Sequence, residues 1–345
     1  MNRSHRCGLR RVRSTTAVVS LCLAAALLSL GCEGNQSMFN PKGPAARTIA
    51  DLGWILIVVC TVVYVVVMIA LGWAIVRTRK ATDDLPDTSA RLGKIIAGAV
   101  TITGLILIAM TAASAAFGRG LTAPPSAAAI NVDVVGHQWW WDFQYRHVTP
   151  ADLVTSPNEL HIPVGVPVIL KVQSRDVIHS FWVPNLHGKR DLIPGETTHT
   201  WIQADEPGVY RGQCAEFCGH QHAKMAFNVV AEPMDKFQVW LQNQRKPATE
   251  PATDATRQGR ELFLRSTCVT CHAIAGTPAG SRVGPDLTHV GSRLTIAAGT
   301  LPNTREHLAA WVVNPAAIRP GVRMPPNALS SEELDAVVSY LRSLR

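Results

Sequence analysis

Two short clusters in this chain carry residue types suited to redox chemistry. The first is Cys214-Ala215-Glu216-Phe217-Cys218-Gly219-His220-Gln221-His222-Ala223-Lys224-Met225. Two thiols, an imidazole at His222 and the thioether of Met225 make a soft donor set, which selects copper over hard cations. A second imidazole would let both sulfurs bridge a pair of ions, and His179 in Asp176-Val177-Ile178-His179-Ser180-Phe181 offers one. Two other readings stand beside copper: a Cys214–Cys218 disulfide in an oxidising compartment and a Cys/His zinc site. The disulfide leaves His222 and Met225 without a task, and zinc rarely takes methionine.

The second cluster is Cys268-Val269-Thr270-Cys271-His272, the C-x-x-C-H pattern of covalent haem c attachment. There the thiols add across the haem vinyl groups and the histidine becomes the proximal iron ligand. A redox disulfide, or zinc with a second cysteine pair, is disfavoured by the following histidine and by the lack of any later cysteine. Met324, in Met324-Pro325-Pro326, is the only methionine after Met234 and offers a distal thioether that would raise the reduction potential. His289 and His307 are its rivals.

These donors need elements to hold them. From Ala128 to Glu232 short β-rich runs alternate with turns: Ile130, Val132 and Val134 alternate with polar residues, Val164-Gly165-Val166-Pro167 breaks an apolar run, and Glu206-Pro207-Gly208 precedes Val209-Tyr210. That pattern predicts an all-β sandwich or barrel. An amphipathic stretch, Met234 to Gln244, leads to the Pro/Thr-rich 245–255, a composition with no apolar face, read as a tether. Beyond it, Gly259 to Phe263 fits a helix, and Ser330 with Glu333 forms a capping box before the apolar face of Leu334, Val337, Val338 and Leu341.

The N-terminal part reads as membrane. The runs Leu52 to Val76 and Ile95 to Gly118 are uncharged, and each makes about 36 Å or more of helix, enough to cross a bilayer. A buried helical hairpin in a soluble core is the alternative. Arg77, Arg79, Lys80, Arg91 and Lys94 between the runs place the connecting loop on the cytoplasmic side and the rest of the chain outside. Ahead of them, a basic start and the apolar run Ala17 to Leu30 resemble a signal peptide. Cys32 after Gly31 fits a lipidation site, with ordinary cleavage nearby as the alternative. The expected organisation is 1–31 signal peptide, 32–48 external segment, 49–118 helix hairpin, 119–244 copper domain, 245–255 linker and 256–345 cytochrome domain.

The chain has 345 residues with 33 Lys+Arg against 25 Asp+Glu, a formal charge of +8. Five of the arginines fall within the first thirteen residues. No basic block with interleaved aromatics remains, which excludes a nucleic-acid footprint. The charged fraction of 17% is low for a soluble protein and agrees with spans in lipid. No catalytic triad, carboxylate dyad or phosphate loop is evident.

The 214–225 loop resembles the dinuclear copper A loop of cytochrome c oxidase subunit II, as do Asp176 to Phe181, Pro184 to Gly195 and the helical hairpin. The segment from Thr256 is similar to a class I cytochrome c, including Gly284-Pro285-Asp286-Leu287 at the haem edge. Together these features resemble subunit II of a haem-c-fused, caa-type oxidase. The fold this implies is a multi-domain membrane protein: a two-helix transmembrane hairpin, an all-β cupredoxin-like sandwich, then an all-α class I cytochrome c domain.

The resemblance also implies site roles. His179, Cys214, Cys218, His222 and Met225 bind copper through side chains and Glu216 through its carbonyl, while the Glu216 carboxylate reaches a magnesium ion at the subunit I interface. Cys268, Cys271, His272 and Met324 hold the one covalent haem c. In Gly136-His137-Gln138-Trp139-Trp140-Trp141, read as a strand with Trp139 and Trp141 on one face, Trp139 matches the residue where electrons arrive from cytochrome c. Trp140 and Trp141 are expected to pack the sandwich. The family's second membrane helix commonly begins with glutamate, tryptophan and proline; Arg91-Leu92-Gly93-Lys94-Ile95-Ile96-Ala97 has none of them, so proton uptake is not implied.

The implied function is electron relay from cytochrome c through haem c and copper A to a haem in subunit I, where oxygen is reduced. The partners would be subunit I, further oxidase subunits, cytochrome c and the bacterial inner membrane, with the redox domains on its outer side. The alternatives are a subunit of another copper A/haem c reductase and a membrane-anchored copper carrier.

Overall fold

A computed structural model describes residues 34–77, 89–122, 130–146 and 153–345. The segment read as a signal peptide, Cys32 and most of the basic loop between the apolar runs lie outside the described residues. Helices α1 (Pro44–Arg77) and α2 (Ser89–Arg119) have 34 and 31 residues, about 51 and 46 Å long at 1.5 Å per residue. Their apolar windows are left uncovered by the described residues, opposite to what a soluble core hairpin requires.

α1 starts eight residues before Leu52 because its first turn packs on the sandwich. Ala45, Ala46 and Ala50 are buried, the Ala46 N–H donates to the Leu186 carbonyl at 3.2 Å, and the Asp205 N–H donates to Lys42 at 2.8 Å. A Cβ at Gly43 would stand 2.1 Å from the Gln203 carbonyl oxygen, so only glycine permits this approach. Residues 34–48, part of the 32–48 read from sequence as an external segment, thus join the span to the sandwich.

The sandwich has ten strands: β1 (Ile130–His137), β2 (Trp140–Tyr145), β3 (Val154–Pro157), β4 (Glu159–Pro163), β5 (Val168–Ser174), β6 (His179–Trp182), β7 (Arg190–Leu192), β8 (Thr198–Ile202), β9 (Gly208–Cys214) and β10 (Ala226–Glu232). One sheet runs β3-β2-β1-β5-β8 and the other β4-β10-β9-β6-β7. Val134, Trp141, Phe143, Leu160, Leu170, Phe181 and Phe227 fill the space between them. Phe227 faces Gly212 across the β9–β10 ladder, and a Cβ there would lie 2.1 Å from the ring. Helix α3 (Met234–Gln244) closes one end with buried Phe237 and with Trp240, which stacks on His161 at 4.0 Å.

The C-terminal domain is helical apart from two two-residue strands, β11 (Thr295–Ile296) and β12 (Leu301–Pro302). Its helices are α4 (Asp254–Arg265), α5 (Arg305–Val313), α6 (Pro315–Ile318) and α7 (Ser331–Ser343). The capping box at Ser330 and Glu333 forms as expected. A second, Thr253 with Thr256, starts α4. α4 crosses α7 at Gly259, where a Cβ would be 2.0 Å from the Ala336 carbonyl oxygen.

The linker differs from a free tether. The Ala248 N–H donates to Ala275 at 2.9 Å, His289 Nε2 lies 3.1 Å from the Lys246 carbonyl, and Glu250 pairs with Arg260 at 3.0 Å. Its composition is that of a tether, but its backbone pairs with the C-terminal domain and Ala248 packs against that domain's core.

Candidate metal centre and haem site

Antiparallel pairing of β6 with β9 sets Phe181 opposite Cys214, which brings the start of β6, at His179, beside the end of β9. The Cys214 N–H donates to the Met225 carbonyl and the Ala215 N–H to Ser180, both at 2.9 Å, so the 215–225 loop folds back under its own ends. A run of contacts results. His179 Nδ1 is 3.8 Å from Cys214 Sγ, Cys214 Sγ is 3.7 Å from Cys218 Sγ, and Cys218 Sγ is 3.7 Å from His222 Nδ1 and 3.8 Å from Met225 Sδ. All but the half-buried His222 are buried. A disulfide needs about 2.05 Å between sulfurs, so the pair is unbonded.

The imidazole is aimed. His179 Nε2 contacts Asp176 Oδ1 at 2.8 Å, and Asp176 is held by the N–H groups of Gln138 and Val177 at 2.7 and 2.8 Å. That bond turns Nδ1 toward the sulfurs, as an outer carboxylate does for a metal-bound histidine. A Cβ on Gly136 would be 2.9 Å from the ring. The Cys218 side chain holds the Cys214 thiol well below its ordinary pKa, while the same contact followed by burial pushes Cys218 up. One proton leaves the pair easily, and a bound cation favours loss of the second. Soft, buried, convergent donors with one shared proton fit copper. Met225 at the sulfurs fits zinc poorly.

Glu216 turns its carbonyl to 3.2 Å from Cys214 Sγ. Its half-buried carboxylate stands 3.7 Å from Lys189 Nζ, and among the described residues no group of three metal-donating side chains includes it. Trp139 lies in the turn between β1 and β2 rather than on a strand, because the β1–β2 ladder closes at His137 and Trp140. Its Nε1 donates to the Cys218 carbonyl at 2.8 Å, as does Gln138 Nε2. Trp141 packs edge-on against Phe181 and Phe227 inside the sandwich. Trp140 stacks on His137 at 4.2 Å and stays half-buried.

In the helical domain the Cys268 and Cys271 thiols are unpaired and half-buried. The His272 N–H donates to the Cys268 carbonyl at 3.0 Å, which draws the motif into one turn. His272 Nδ1 lies 2.7 Å from the Pro285 carbonyl, leaving Nε2 free for iron. Burial lowers its pKa and keeps the ring neutral. A Cβ on Gly284 would lie 2.8 Å from this ring, so Gly284-Pro285 forms a fitted cradle. This donor set fits a covalently held haem. Met324 lies half-buried on the loop between α6 and α7. Its rivals have other partners: His289 faces the linker, and His307 Nδ1 is 3.2 Å from Thr304 Oγ1 at the start of α5.

Sequence reading placed Gly284 at the haem edge but missed two contributors: Gln138 on the Cys218 carbonyl, and Arg319, which is 2% exposed and donates to the Trp139 carbonyl at 3.2 Å. The Ile318-Arg319-Pro320 setting gave only a weak hint.

Comparison with known proteins agrees with both halves. The family model for the periplasmic domain of cytochrome c oxidase subunit II matches residues 130–232, and the cytochrome c model matches residues 256–345. Cytochrome c oxidase subunit 2 of Alkalihalophilus pseudofirmus is 36% identical over 330 residues, covering 92% of this chain and 94% of that protein. The same subunit of Bacillus sp. strain PS3 is 34% identical over 228 residues, 62% of each. A crystal structure of the periplasmic domain of subunit II of cytochrome oxidase from Bradyrhizobium japonicum aligns at 27% identity and TM-score 0.32, covering 35% of this chain and 96% of that one. Near full-length similarity, across the membrane hairpin, the copper sandwich and the haem domain in one order, means that the chain belongs to the cytochrome c oxidase subunit II family and serves as an electron-transfer subunit carrying its own cytochrome c domain.

Proposed function

We propose that the electron path in this chain runs from haem c, attached at Cys268 and Cys271 and ligated by His272 and Met324, to a dinuclear copper A held by His179, Cys214, Cys218, His222, Met225 and the Glu216 carbonyl. When bound, these groups supply one-electron redox chemistry, oxidising a cytochrome c donor and reducing the haem of subunit I. The chain's own residues do the rest. Asp176 orients His179, the Pro285 carbonyl orients His272, and the sandwich core keeps water from the sulfurs. The carrying observation is the unbroken run of sulfur and imidazole contacts from His179 to Met225.

The half-buried Glu216 carboxylate, 3.7 Å from Lys189 Nζ, supports the further assignment of a magnesium site completed by subunit I. The two uncovered apolar helices support placement in the bacterial inner membrane with both redox domains outside, docked on subunit I and further oxidase subunits. The export segment 1–31, lipidation at Cys32 and the domain limits given above complete the proposal.

Metal and haem analysis of the purified oxidase tests the assignment. Cys214→Ser or Cys218→Ser should abolish the dinuclear copper spectrum and leave haem c intact. Met324→Ala should remove the methionine-to-iron band at the red end of the visible spectrum. Retention of both coppers in either serine variant refutes the copper ligands, and an unchanged band moves the distal ligand to a histidine.

A further inference from the structure

The cytochrome domain is seated on the copper domain along two stretches: residues 294–298, through β11 into the turn after it, and residues 318–323, from the end of α6 onward. In the first, the Ala226 N–H donates to the Ala298 carbonyl at 3.2 Å, the Leu294 N–H to Glu159 Oε2 at 2.9 Å, and Asn228 Nδ2 to Thr295 Oγ1 at 3.1 Å. In the second, Lys224 Nζ donates to the Ile318 carbonyl at 2.9 Å. Arg319, in the second, reaches back to the first. Its Nε donates to Gln221 Oε1 at 3.0 Å, one terminal nitrogen to the Ala297 carbonyl at 2.8 Å and the other to the Trp139 carbonyl at 3.2 Å.

One planar fork therefore joins the copper loop, the tryptophan turn and the cytochrome domain. A guanidinium can do this because its donors point in fixed, divergent directions. The three partners are neutral, although Arg319 is buried. A buried cation without a paired carboxylate is costly, so it persists only where its surroundings fix it. Arg323 extends the same segment over the Trp139 ring, its guanidinium carbon 5.8 Å from the ring centroid, while it also bonds Gln138 Oε1. Trp139 is left 8% exposed.

We infer that Arg319 is the positioning residue that seats the cytochrome domain on the copper loop, and that the seated domain closes the Trp139 face to an external donor. The inference rests on the relay reading above and adds which residue holds the two redox domains together.

The test uses the purified oxidase containing the full chain, with Arg319→Ala, Arg319→Lys and Gln221→Ala, the last loosening the same fork from its other side. Amide hydrogen exchange should rise about tenfold or more at 221–226 and 294–299 in Arg319→Ala, with the α4–α7 crossing unchanged and Arg319→Lys intermediate. With soluble cytochrome c as donor, kcat should fall about tenfold while KM stays within about twofold, since the donor's surface is untouched. Gln221→Ala should give smaller changes of the same kind, and decides the matter if Arg319→Ala does not assemble. Unchanged exchange overturns the inference, as does faster exchange with unchanged kcat, or a raised KM, which would put the donor at the interface. Absence of copper A or haem c signals in the parent oxidase defeats the relay reading instead.

Discussion

Gly259→Ala sets two known effects against each other. Alanine in a helix interior is favoured over glycine by about 1 kcal/mol, so propensity alone predicts a more stable cytochrome domain. The crossing of α4 and α7 predicts the reverse. The new methyl group would sit 2.0 Å from the Ala336 carbonyl oxygen, 2.6 Å from its carbon and 2.8 Å from Tyr340 Cβ. These are backbone or near-backbone atoms that cannot rotate aside, so the helices must separate by more than an ångström. A gap of that order forfeits a quarter to a half of each van der Waals contact around Phe263, Val337, Tyr340 and Leu341, all at most 4% exposed. Overpacking of this kind costs about 3 kcal/mol where backbone must move. The net loss, about 2 kcal/mol, lowers the melting temperature of a domain of this size by about 10 °C. Thermal unfolding of the full chain, followed at the haem absorption for the cytochrome domain and at the copper absorption for the sandwich, separates the two. The first midpoint should fall and the second should hold. A haem-domain midpoint that rises by a few degrees would mean that propensity wins and that the helices do not meet at Gly259.

Three further outcomes follow from the same kind of contact. Gly284→Ala should displace the His272 ring from the Pro285 carbonyl, and a haem c spectrum with an unaltered proximal signature would refute the cradle. His161, 8% exposed, is disfavoured as a cation by burial, but hydrogen bonds to Glu159 and Glu232 at 3.1 and 2.8 Å outweigh this and raise its pKa. Its stabilising contribution is therefore fully present below the unfolded value of about 6.5 and is lost as pH rises through the higher folded value. Melting of the sandwich should decline across that alkaline window, and Glu232→Gln should flatten the decline; equal slopes in both proteins would count against the pairing. Ala297 and Ala298 hold φ of 54° and 52°, a region that costs a side-chain-bearing residue about 1 kcal/mol or more, so Ala298→Gly should leave the melting temperature level or raise it, and a clear fall would show that the turn is unstrained.

The sulfur and imidazole cluster was legible because four of its members sit in one short loop, and the structure brings them into contact with His179. Asp176 was quoted with His179, but its grip on Nε2 depends on a turn that no donor pattern announces. Trp139 was misplaced onto a strand since hydrophobic alternation runs on through Gln138, while the ladder ends at His137. The linker misled for a different reason: its side chains are as polar as a free tether's, and the Ala248 N–H and Lys246 carbonyl that bind it to the cytochrome domain have no compositional trace. Arg319 was the hardest to see. An arginine before a proline reads as surface, and its partners Gln221 and Trp139 lie 98 and 180 residues away in sequence.

A linker and an interface do different work in such a chain. A short flexible connection gives an effective concentration of about 1 mM, at which an interface with a dissociation constant of about 0.1 mM stays closed roughly nine-tenths of the time. Little intrinsic affinity is then needed, and little must be lost to open it: about 2.8 kcal/mol moves the balance a hundredfold. Each hydrogen bond from a charged donor contributes about 1.5–3 kcal/mol, so the two that Arg319 makes across the interface, to Gln221 and Trp139, are together of that size or more. Tethering alone fixes an average separation and leaves every orientation open. The guanidinium fork fixes orientation, because the bond to Ala297 holds Arg319 within its own domain, and the Gln221 and Trp139 oxygens can then both be reached from only one seating of that domain. Covalent fusion makes a weak contact sufficient, and Arg319 makes it specific.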